Sequence, residues 1–351
     1  MKTRIFACLF AFTLGAQARE PQPSPKSAAT KMKAVVLHEY GGPEVLNYEE
    51  TRRPEPRDDE VLIRVVAASV NPVDVAIRSG KYAEYFHTTL PLVPGTDAAG
   101  VVEATGSKIS GLKVGDPVYA FFNLGDEGGY AEFAVAKENE VGRKPSSITY
   151  EQAAAVPAAG STAWQALVDA AKLSAGQTVL IHGGSGGVGH MAIQIAKARG
   201  ARVIATASTA NQQFLKKLGT DQAIDYTKTK FEDVVKNVDL VINTADAATT
   251  ARSIAVVRSG GTLVSIVGPP DAAACAAAKI RCARPDRETG ASNADMLARV
   301  VELADAGKFK VFVDGTFSLA DASKAWDKSR EGHTRGKLII KVSEGPTMKH
   351  Q

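Results

Sequence analysis

Apolar residues in the first half of the chain come in short runs separated by glycine and proline. The runs at residues 33–37 (KAVVL) and 61–67 (VLIRVVA) are rich in β-branched side chains, and similar pieces follow at 118–122 and 130–135. Many short strands with this punctuation predict a barrel-like β domain over about residues 32–144.

The pattern changes near residue 150, where predicted strands and helices begin to alternate. Residues 188–199 place their apolar side chains on one helical stripe, and Gly200 follows the end of that helix. Alternation in units of about 30 residues predicts a parallel sheet with helices on both faces. The predicted strands are 177–182, 202–206, 238–243, 262–267 and 337–342, and the further predicted helices are 211–218 and 296–306.

Residues 1–18 (MKTRIFACLFAFTLGAQA) have the parts of a secretory signal peptide: a basic start, an apolar run and a small-x-small cleavage site. The alternative is a mitochondrial leader or a mistranslated segment. The apolar run is too short for a stable membrane anchor. Residues 19–31 are rich in proline and predict a flexible linker. We therefore expect an exported protein, periplasmic or secreted, or a cytoplasmic one if this segment is not a working signal.

Length and composition fit a globular protein of two domains. A chain of 351 residues exceeds what one core usually holds, and 44% hydrophobic residues supply enough apolar surface for large cores. The formal net charge is +4, and it falls to +2 when Lys2 and Arg4 leave with the leader. Since no basic stripe stands out, we expect no nucleic-acid partner.

The sharpest motif is HGGSGGVG at residues 182–189, in which Gly184, Gly186 and Gly189 satisfy G-x-G-x-x-G. A predicted strand precedes it and a predicted helix follows it, as in a dinucleotide-binding loop. The first glycine permits the turn, the second lets the backbone approach a pyrophosphate, and the third lets helix and strand pack closely. The alternative is a glycine turn without a ligand. The predicted cofactor contacts are Ser185, Gly186, Gly187, Val188 and Gly189.

The end of the next predicted strand indicates which dinucleotide binds. An NAD site usually has Asp or Glu about 20 residues past the glycines, whereas residues 206–211 (TASTAN) contain no acid and the next one is Asp221. Ser208 and Asn211 can hydrogen-bond a 2′-phosphate, so we predict NADP as the cofactor. No Arg or Lys lies on the same turn, and the two lysines of the following helix are more simply explained as solvated charges.

Six segments match a known family in order and spacing: SVNPVDVAIRSG (69–80), PLVPGTDAAGVV (91–102), GGYAEF (128–133), AAVPAAGSTAW (154–164), the glycine loop and TRGKLIIKV (334–342). Together they resemble the medium-chain dehydrogenase/reductase superfamily, specifically its zinc-free quinone oxidoreductase group, which includes zeta-crystallin. The resemblance covers about residues 32–342. It implies an α/β protein with a GroES-like β-barrel catalytic domain (32–155 and 312–345). Between these parts it implies a Rossmann NADP-binding domain with a doubly wound parallel sheet (156–311).

The resemblance also bears on assembly and metal binding. It implies a homodimer through sheet edges, with residues 262–267 as our candidate edge strand. Zinc-dependent relatives carry a cysteine where this chain has Asn71, and a histidine and a glutamate where it has Thr96 and Asp97. Catalytic zinc needs three protein ligands, so we predict no metal. The acceptor must then be electrophilic already, as a quinone or an α,β-unsaturated carbonyl is.

The predicted activity is hydride transfer from NADPH to such an acceptor. The resemblance places Asn71 near the nicotinamide and the acceptor oxygen, and it places Tyr82 in the substrate cleft. Simpler alternatives are a turn before Pro72 and ordinary packing of the tyrosine ring. Ala76 replaces a tyrosine of some relatives, which leaves the substrate open. The alternative function is an NADPH-binding sensor or crystallin-like protein without significant turnover.

Four further positions are assigned to the cofactor by the resemblance alone. Thr162 matches a residue near the nicotinamide or the phosphates, and Tyr226 matches one near the adenosine 2′-phosphate. Gly268 and Lys337 match loops that approach the nicotinamide.

The last predictions from the sequence concern one acidic and one basic side chain, and two cysteines. Asp74 and Arg78 are interpreted as a structural pair. Cys275 and Cys282 would lie about 10 Å apart in one continuous helix, too far for a disulfide, which needs Cα atoms within about 7 Å. In a loop the bond can close, and we expect it in an exported form. Reduced nicotinamide is scarce outside the cytosol, which stands against export.

Overall fold

The computed structural model describes residues 30–123, 128–285 and 292–345, so the predicted leader and most of the predicted linker lie outside the described residues. The strands are β1 (Lys31–Val36), β2 (Asn47–Arg52), β3 (Glu60–Ser69), β4 (Asp97–Thr105), β5 (Pro117–Phe121), β6 (Phe133–Lys137), β7 (Val141–Arg143), β8 (Thr178–His182), β9 (Arg202–Ala207), β10 (Gln222–Asp225), β11 (Val238–Asn243), β12 (Val257–Ser265), β13 (Arg281–Ala283), β14 (Val313–Ser318) and β15 (Lys337–Lys341). The helices are α1 (Pro72–Arg78), α2 (Ala83–Phe86), α3 (Tyr150–Ala154), α4 (Pro157–Trp164), α5 (Gly187–Ala198), α6 (Gln212–Lys217), α7 (Phe231–Val234), α8 (Ala247–Ser253), α9 (Ala272–Ala277), α10 (Asn293–Asp305) and α11 (Ala322–Arg330).

Strands β3 to β7 and the C-terminal strands β14 and β15 build the first large sheet, while β1 and β2 pair with each other in a separate two-stranded sheet. Its strand order is β14-β15-β3-β4-β5-β7, with β6 paired to β3. β15 runs antiparallel to β3, with Ile339 opposite Ser69, so the C-terminal segment lies against the strand that leads to α1. Apolar side chains of β3, β4 and β5 are almost fully buried, and burial is nearly continuous along β3 and β5, so these strands are covered on both faces. This arrangement confirms the predicted GroES-like β domain.

The second sheet is parallel throughout, in the order β10-β9-β8-β11-β12-β13. The chain fills one side of β8 with β9 and β10 and then crosses to β11 on the other side. This is the strand order of a Rossmann fold, and it opens a crevice at the carboxyl ends of β8 and β11. The predicted doubly wound sheet is confirmed, and its strands fall inside the predicted boundaries of 156–311.

The edge of this sheet differs from our prediction. We expected residues 262–267 at the edge, but β12 lies between β11 and β13, and β13 is the edge strand. The physical reason is that β13 has three residues, too few to show a periodic pattern.

The two cysteines near that edge are bonded. α9 ends at Ala277, the chain turns, and β13 brings Cys282 back to Cys275 with the Cα atoms 6.1 Å apart. The two cysteines therefore do not lie in one continuous helix, the arrangement that would keep them too far apart for a disulfide.

Among the helices of the described residues, none has the length and apolar character of a membrane span.

Candidate active site

A cleft of about 1060 Å³ opens at the carboxyl ends of β8 and β11 and reaches the start of α1. The predicted site residues that line it are Asn71, Ser185, Gly186, Gly187, Val188, Ser208, Asn211, Tyr226 and Lys337. One end of the cleft is formed by the glycine loop, which we call the phosphate end. The other is formed by Asn71 and Lys337, which we call the acceptor end.

The phosphate end owes its shape to its glycines. The N–H of Gly186 donates to the carbonyl of Gly183 at 3.0 Å and closes the turn between β8 and α5. A Cβ on Gly189 would lie 2.1 Å from the oxygen of Gly183, so only glycine lets the helix pack this close to the strand. A Cβ on Gly186 would meet nothing nearer than 3.4 Å, so this residue offers open backbone toward the cleft.

This geometry fits an anionic ligand. Ser185 to Val188 line the cleft where α5 begins, and the free N–H groups and positive dipole of a helix N-terminus favour phosphate. Gly189 lies behind the lining and acts through packing. The residues present therefore fit the pyrophosphate of a dinucleotide.

Polar side chains without a carboxylate follow the end of β9. Ser208 and Asn211 line the cleft, and Asn211 Nδ2 donates to Ser185 Oγ at 3.2 Å. Asp225 on the neighbouring β10 accepts hydrogen bonds from the Thr209 and Thr227 hydroxyls, both at 2.6 Å. It does not line the cleft, so this turn presents hydroxyl and amide groups rather than a negative charge.

A cation that the sequence analysis missed stands beside this turn. Arg335 Nε donates to Asn211 Oδ1 at 2.9 Å, and the guanidinium also donates to the carbonyl of Ala210 at 3.2 Å. The guanidinium packs over the Phe214 ring, 5.5 Å from its centroid. Arg335 comes from the segment before β15, 124 residues away from Asn211 along the chain. No local spacing could have indicated this approach.

The acceptor end is a buried polar network centred on Asn71. Asn71 precedes Pro72 at the start of α1, and its backbone N–H donates to Asp74 Oδ2 at 2.8 Å. The expected turn role is therefore present together with a second role. The Asn71 amide nitrogen donates to Asp97 Oδ2 at 2.9 Å and to Thr96 Oγ1 at 3.1 Å, and its oxygen accepts a hydrogen bond from Lys337 Nζ.

Lys337 and Asp97 form the charged part of this network. Lys337 Nζ donates to the carbonyl of Val70 at 2.9 Å and lies 4.0 Å from Asp97 Oδ2. Asp97 also accepts from the Ser69 hydroxyl at 2.8 Å and from the N–H of Ala158 at 2.9 Å. Burial lowers the pKa of Lys337 and raises that of Asp97, and each partner's charge opposes the other's shift.

Asp74 is a second buried carboxyl at this end. Burial, and then the charge of Asp97, raise the pKa of Asp74 to about 7, against the lowering effect of the N–H groups of Asn71 and Thr96. Arg78 does not pair with Asp74, so that prediction was wrong. Its guanidinium packs instead on the Trp326 ring, 4.8 Å from the centroid.

Four predicted site residues do not line the cleft: Gly189, whose packing role is described above, and Tyr82, Thr162 and Gly268. Tyr82 stands at the start of α2, 41% exposed, with its ring 5.9 Å from that of Phe86. Thr162 is partly buried in α4, and Gly268 follows Val267, which does line the cleft. Their assignment to the site stays a prediction.

Metal ligands do not cluster in the described part of the chain. Over those residues no group of three or more His, Cys, Asp or Glu side chains is arranged to hold a metal ion. The side chains at the positions compared with zinc ligands, Asn71, Thr96 and Asp97, bond to one another instead.

The GroES-like sheet, the Rossmann sheet and the glycine loop between β8 and α5 define a dinucleotide-binding protein of the dehydrogenase type. Two family models match the chain: the alcohol dehydrogenase GroES-like domain over residues 57–146 and the zinc-binding dehydrogenase over 218–340. The chain belongs to the medium-chain dehydrogenase/reductase superfamily, in its quinone oxidoreductase group.

Individual relatives agree with this assignment. The NADPH-dependent alkenal/one oxidoreductase of Arabidopsis thaliana is 37% identical over 330 residues, which are 90% of this chain and 80% of that protein. The quinone oxidoreductase structure from Coxiella burnetii has a TM-score of 0.82 and 35% identity, covering 89% of this chain and all of that one. A mycobacterial structure described as complexed with NADPH has a TM-score of 0.79 and 30% identity, covering 88% and 99%.

Proposed function

We propose that the chain reduces a quinone or an α,β-unsaturated carbonyl by hydride transfer from NADPH. The observation that carries this proposal is one continuous cleft that joins a phosphate-binding loop to a buried, charged polar centre. Two of the relatives are a quinone oxidoreductase and an NADPH-dependent alkenal/one oxidoreductase, and their names support the acceptor class and the cofactor.

The chain's own residues divide the work. When bound, the nicotinamide cofactor supplies the hydride. The backbone from Ser185 to Val188 holds the pyrophosphate, and the buried residues around Asn71 fix the far end of the cleft. A quinone or enone is electrophilic without activation by a metal. Holding the acceptor next to the nicotinamide in the right orientation can therefore supply a large part of the rate enhancement of hydride transfer.

The activity test uses the full chain with NADPH and, separately, a naphthoquinone and a simple enone. We expect NADPH absorbance to fall on addition of at least one acceptor. Tight NADPH binding with no oxidation by either acceptor class would contradict the proposed function and favour the alternative of a binding protein without turnover. Failure to bind either NADPH or NADH would contradict the assignment of the phosphate end.

Preference for NADPH over NADH rests on the turn after β9. Ser208 and Asn211 offer hydrogen-bond donors there, and Arg335 supplies the cation that a 2′-phosphate needs. Arg335→Ala should weaken NADPH binding about tenfold, the loss expected for one charge-assisted contact, and leave NADH binding unchanged. Arg330→Ala is the matched control, because Arg330 is also exposed and pairs only with Asp327 at 2.8 Å among the contacts of the described residues. Equal loss for both cofactors would overturn this assignment.

The proposed assembly is a homodimer. β13 is a sheet edge, and edge strands with unpaired backbone groups are usually covered. Sedimentation of the purified protein at micromolar concentration should give twice the chain mass, whereas a monomer would contradict the dimer.

The proposed compartment is an oxidising one. The bridge between Cys275 and Cys282 agrees with export, since disulfides persist outside reducing cytosol. Fractionation of the source cells, followed by mass spectrometry with a thiol-reactive label, should recover the chain outside the cytosol with both cysteines blocked. Two free thiols in a cytosolic chain would overturn the proposal.

A further inference from the structure

The Asn71 amide has no donor left for a substrate. Both hydrogens of its nitrogen are used, one by Asp97 Oδ2 at 2.9 Å and one by Thr96 Oγ1 at 3.1 Å. Its oxygen accepts from Lys337. Asn71 is 4% exposed and its amide is held on both sides, so it positions neighbours rather than contacting an acceptor oxygen.

Lys337 has a donor to spare. An ammonium carries three hydrogens, and two of them go to the carbonyl of Val70 and to Asn71 Oδ1. Asp97 Oδ2, at 4.0 Å, is within ion-pair range but too far for a hydrogen bond. Over the described residues the third N–H has no hydrogen-bond acceptor, and Lys337 lines the cleft.

Backbone hydrogen bonds and packing of the side-chain stem fix the position of Lys337. The N–H of Gly336 donates to Ser185 O at 2.8 Å, and the N–H of Lys337 donates to Phe312 O at 2.9 Å. A Cβ on Gly187 would lie 2.9 Å from Lys337 Cδ, so the aliphatic stem crosses directly over the phosphate loop. The ammonium is thereby held between the loop and Asn71, with little freedom to move away from the cleft.

Two acidic side chains face Lys337, whose pKa is lowered by burial as the largest effect. They are Asp97 on β4 and Asp74 on α1, both fully buried, and both raise the lysine's pKa against the effect of burial. His190 on α5 is also near, and burial keeps it neutral by lowering its pKa to about 4. The Asp97 carboxyl, 4.0 Å away, is therefore the main group that stabilises a positive charge on Lys337.

We propose that the Lys337 ammonium is the catalytic group that activates the acceptor, by donating its third hydrogen bond to the acceptor's carbonyl oxygen. This rests on the proposed function. The acceptor gains a hydride at its β-carbon, the C=C π electron pair shifts, and the negative charge of the resulting enolate collects on the oxygen that Lys337 contacts. The two electrons come from NADPH, and solvent supplies the proton that forms the α C–H bond.

The first test is made on the wild-type protein with oxidised cofactor and 4-nitrophenol, whose anion absorbs in the visible and mimics an enolate oxygen. An ammonium aimed into the cleft should bind the dye as its phenolate, so that bound dye titrates at lower pH than free dye. Binding of the neutral phenol, or no binding, would overturn the proposal whatever the variants do.

The second test compares Lys337→Met with Lys341→Met. Lys341 lies on the same strand, is 39% exposed at its side chain and pairs with Glu344, so it controls for loss of a lysine from β15. Lys337→Met should lose the phenolate preference, keep its affinity for NADPH and lower kcat for an enone by about 10²-fold, the effect of one oxyanion donor. Lys341→Met should match the wild type in all three measurements.

In Lys337→Met the buried Asp97 carboxylate loses its ion-pair partner, and this loss can prevent the variant from folding. The double variant Lys337→Met/Asp97→Asn removes both charges and should fold while still lacking the phenolate preference. Retention of that preference, or a loss of NADPH affinity as large as the loss of kcat, would assign Lys337 to the cofactor or to structure instead. If the wild type binds the phenolate but never oxidises NADPH, the proposed function fails while the assignment of an oxyanion-binding ammonium survives.

Discussion

The phosphate end and the acceptor end of the cleft are built in opposite ways. Residues 182–189 form the first from one run of chain, and backbone groups and missing side chains give it its shape. Asn71, Asp97 and Lys337 form the second from three distant segments, and buried side chains give it its shape. The phosphate end should therefore be sensitive to any added Cβ, and the acceptor end to any lost charge or amide.

The largest expected effect is at the acceptor end. Asp97→Ala leaves the Asn71 amide and the Ser69 hydroxyl without the acceptor that they share, and the Lys337 ammonium without its ion-pair partner, and should cost about 4 kcal/mol of unfolding free energy. Urea unfolding followed by circular dichroism measures this loss. Asp97→Asn keeps the shape and should lose less. Equal stability of Asp97→Ala and wild type would show that the network carries no stability.

The next largest effect separates two glycines of the phosphate end. Gly189→Ala places a Cβ against backbone atoms of Gly183 and should cost about 3 kcal/mol. Gly186→Ala meets nothing nearer than 3.4 Å, so it should fold normally and instead weaken NADPH binding about tenfold. Urea unfolding and fluorescence titration with NADPH, run on both variants, check the split. Similar stability losses for both would show that the two glycines do not have separate roles.

A smaller effect tests whether the phosphate end depends on side chains at all. His190 packs under the loop, and its Nδ1 lies 2.8 Å from the carbonyl of Gly186. Burial lowers the pKa of His190 to about 4, below its usual 6.5, so the unfolded chain binds more protons between these values and stability falls as the pH falls.

The matched variant is His190→Asn, which can keep the hydrogen bond to Gly186 but does not titrate. From about pH 7 to about pH 5, the wild type should lose about 2 kcal/mol more unfolding free energy than the variant. His182, whose pKa burial also lowers to about 4, contributes equally in both proteins and cancels. Parallel curves of stability against pH would contradict the buried, neutral state of His190.

The same contrast explains what could be predicted from the sequence. The phosphate loop, its flanking strand and helix and the missing acid after β9 are local, so spacing alone located Ser185 to Val188, Ser208 and Asn211 at the cleft. Arg335 and the contact between Lys337 and Asn71 depend on a pairing of β15 with β3 across more than 250 residues, which no local pattern encodes. β13 was missed because three residues carry no period.

The smallest expected effect concerns Tyr82, which the resemblance places in the substrate cleft. The structure has its ring against Phe86 on α2, 41% exposed and outside the residues that line the cleft. Tyr82→Phe removes only the hydroxyl and should leave kcat/KM for quinone and enone within a factor of about two of wild type. Steady-state kinetics with both acceptors measures this. A tenfold or larger loss would mean that α2 moves inward when substrate binds, because the hydroxyl reaches no acceptor from its present position, and the acceptor end would then include a side chain beyond the Asn71 network.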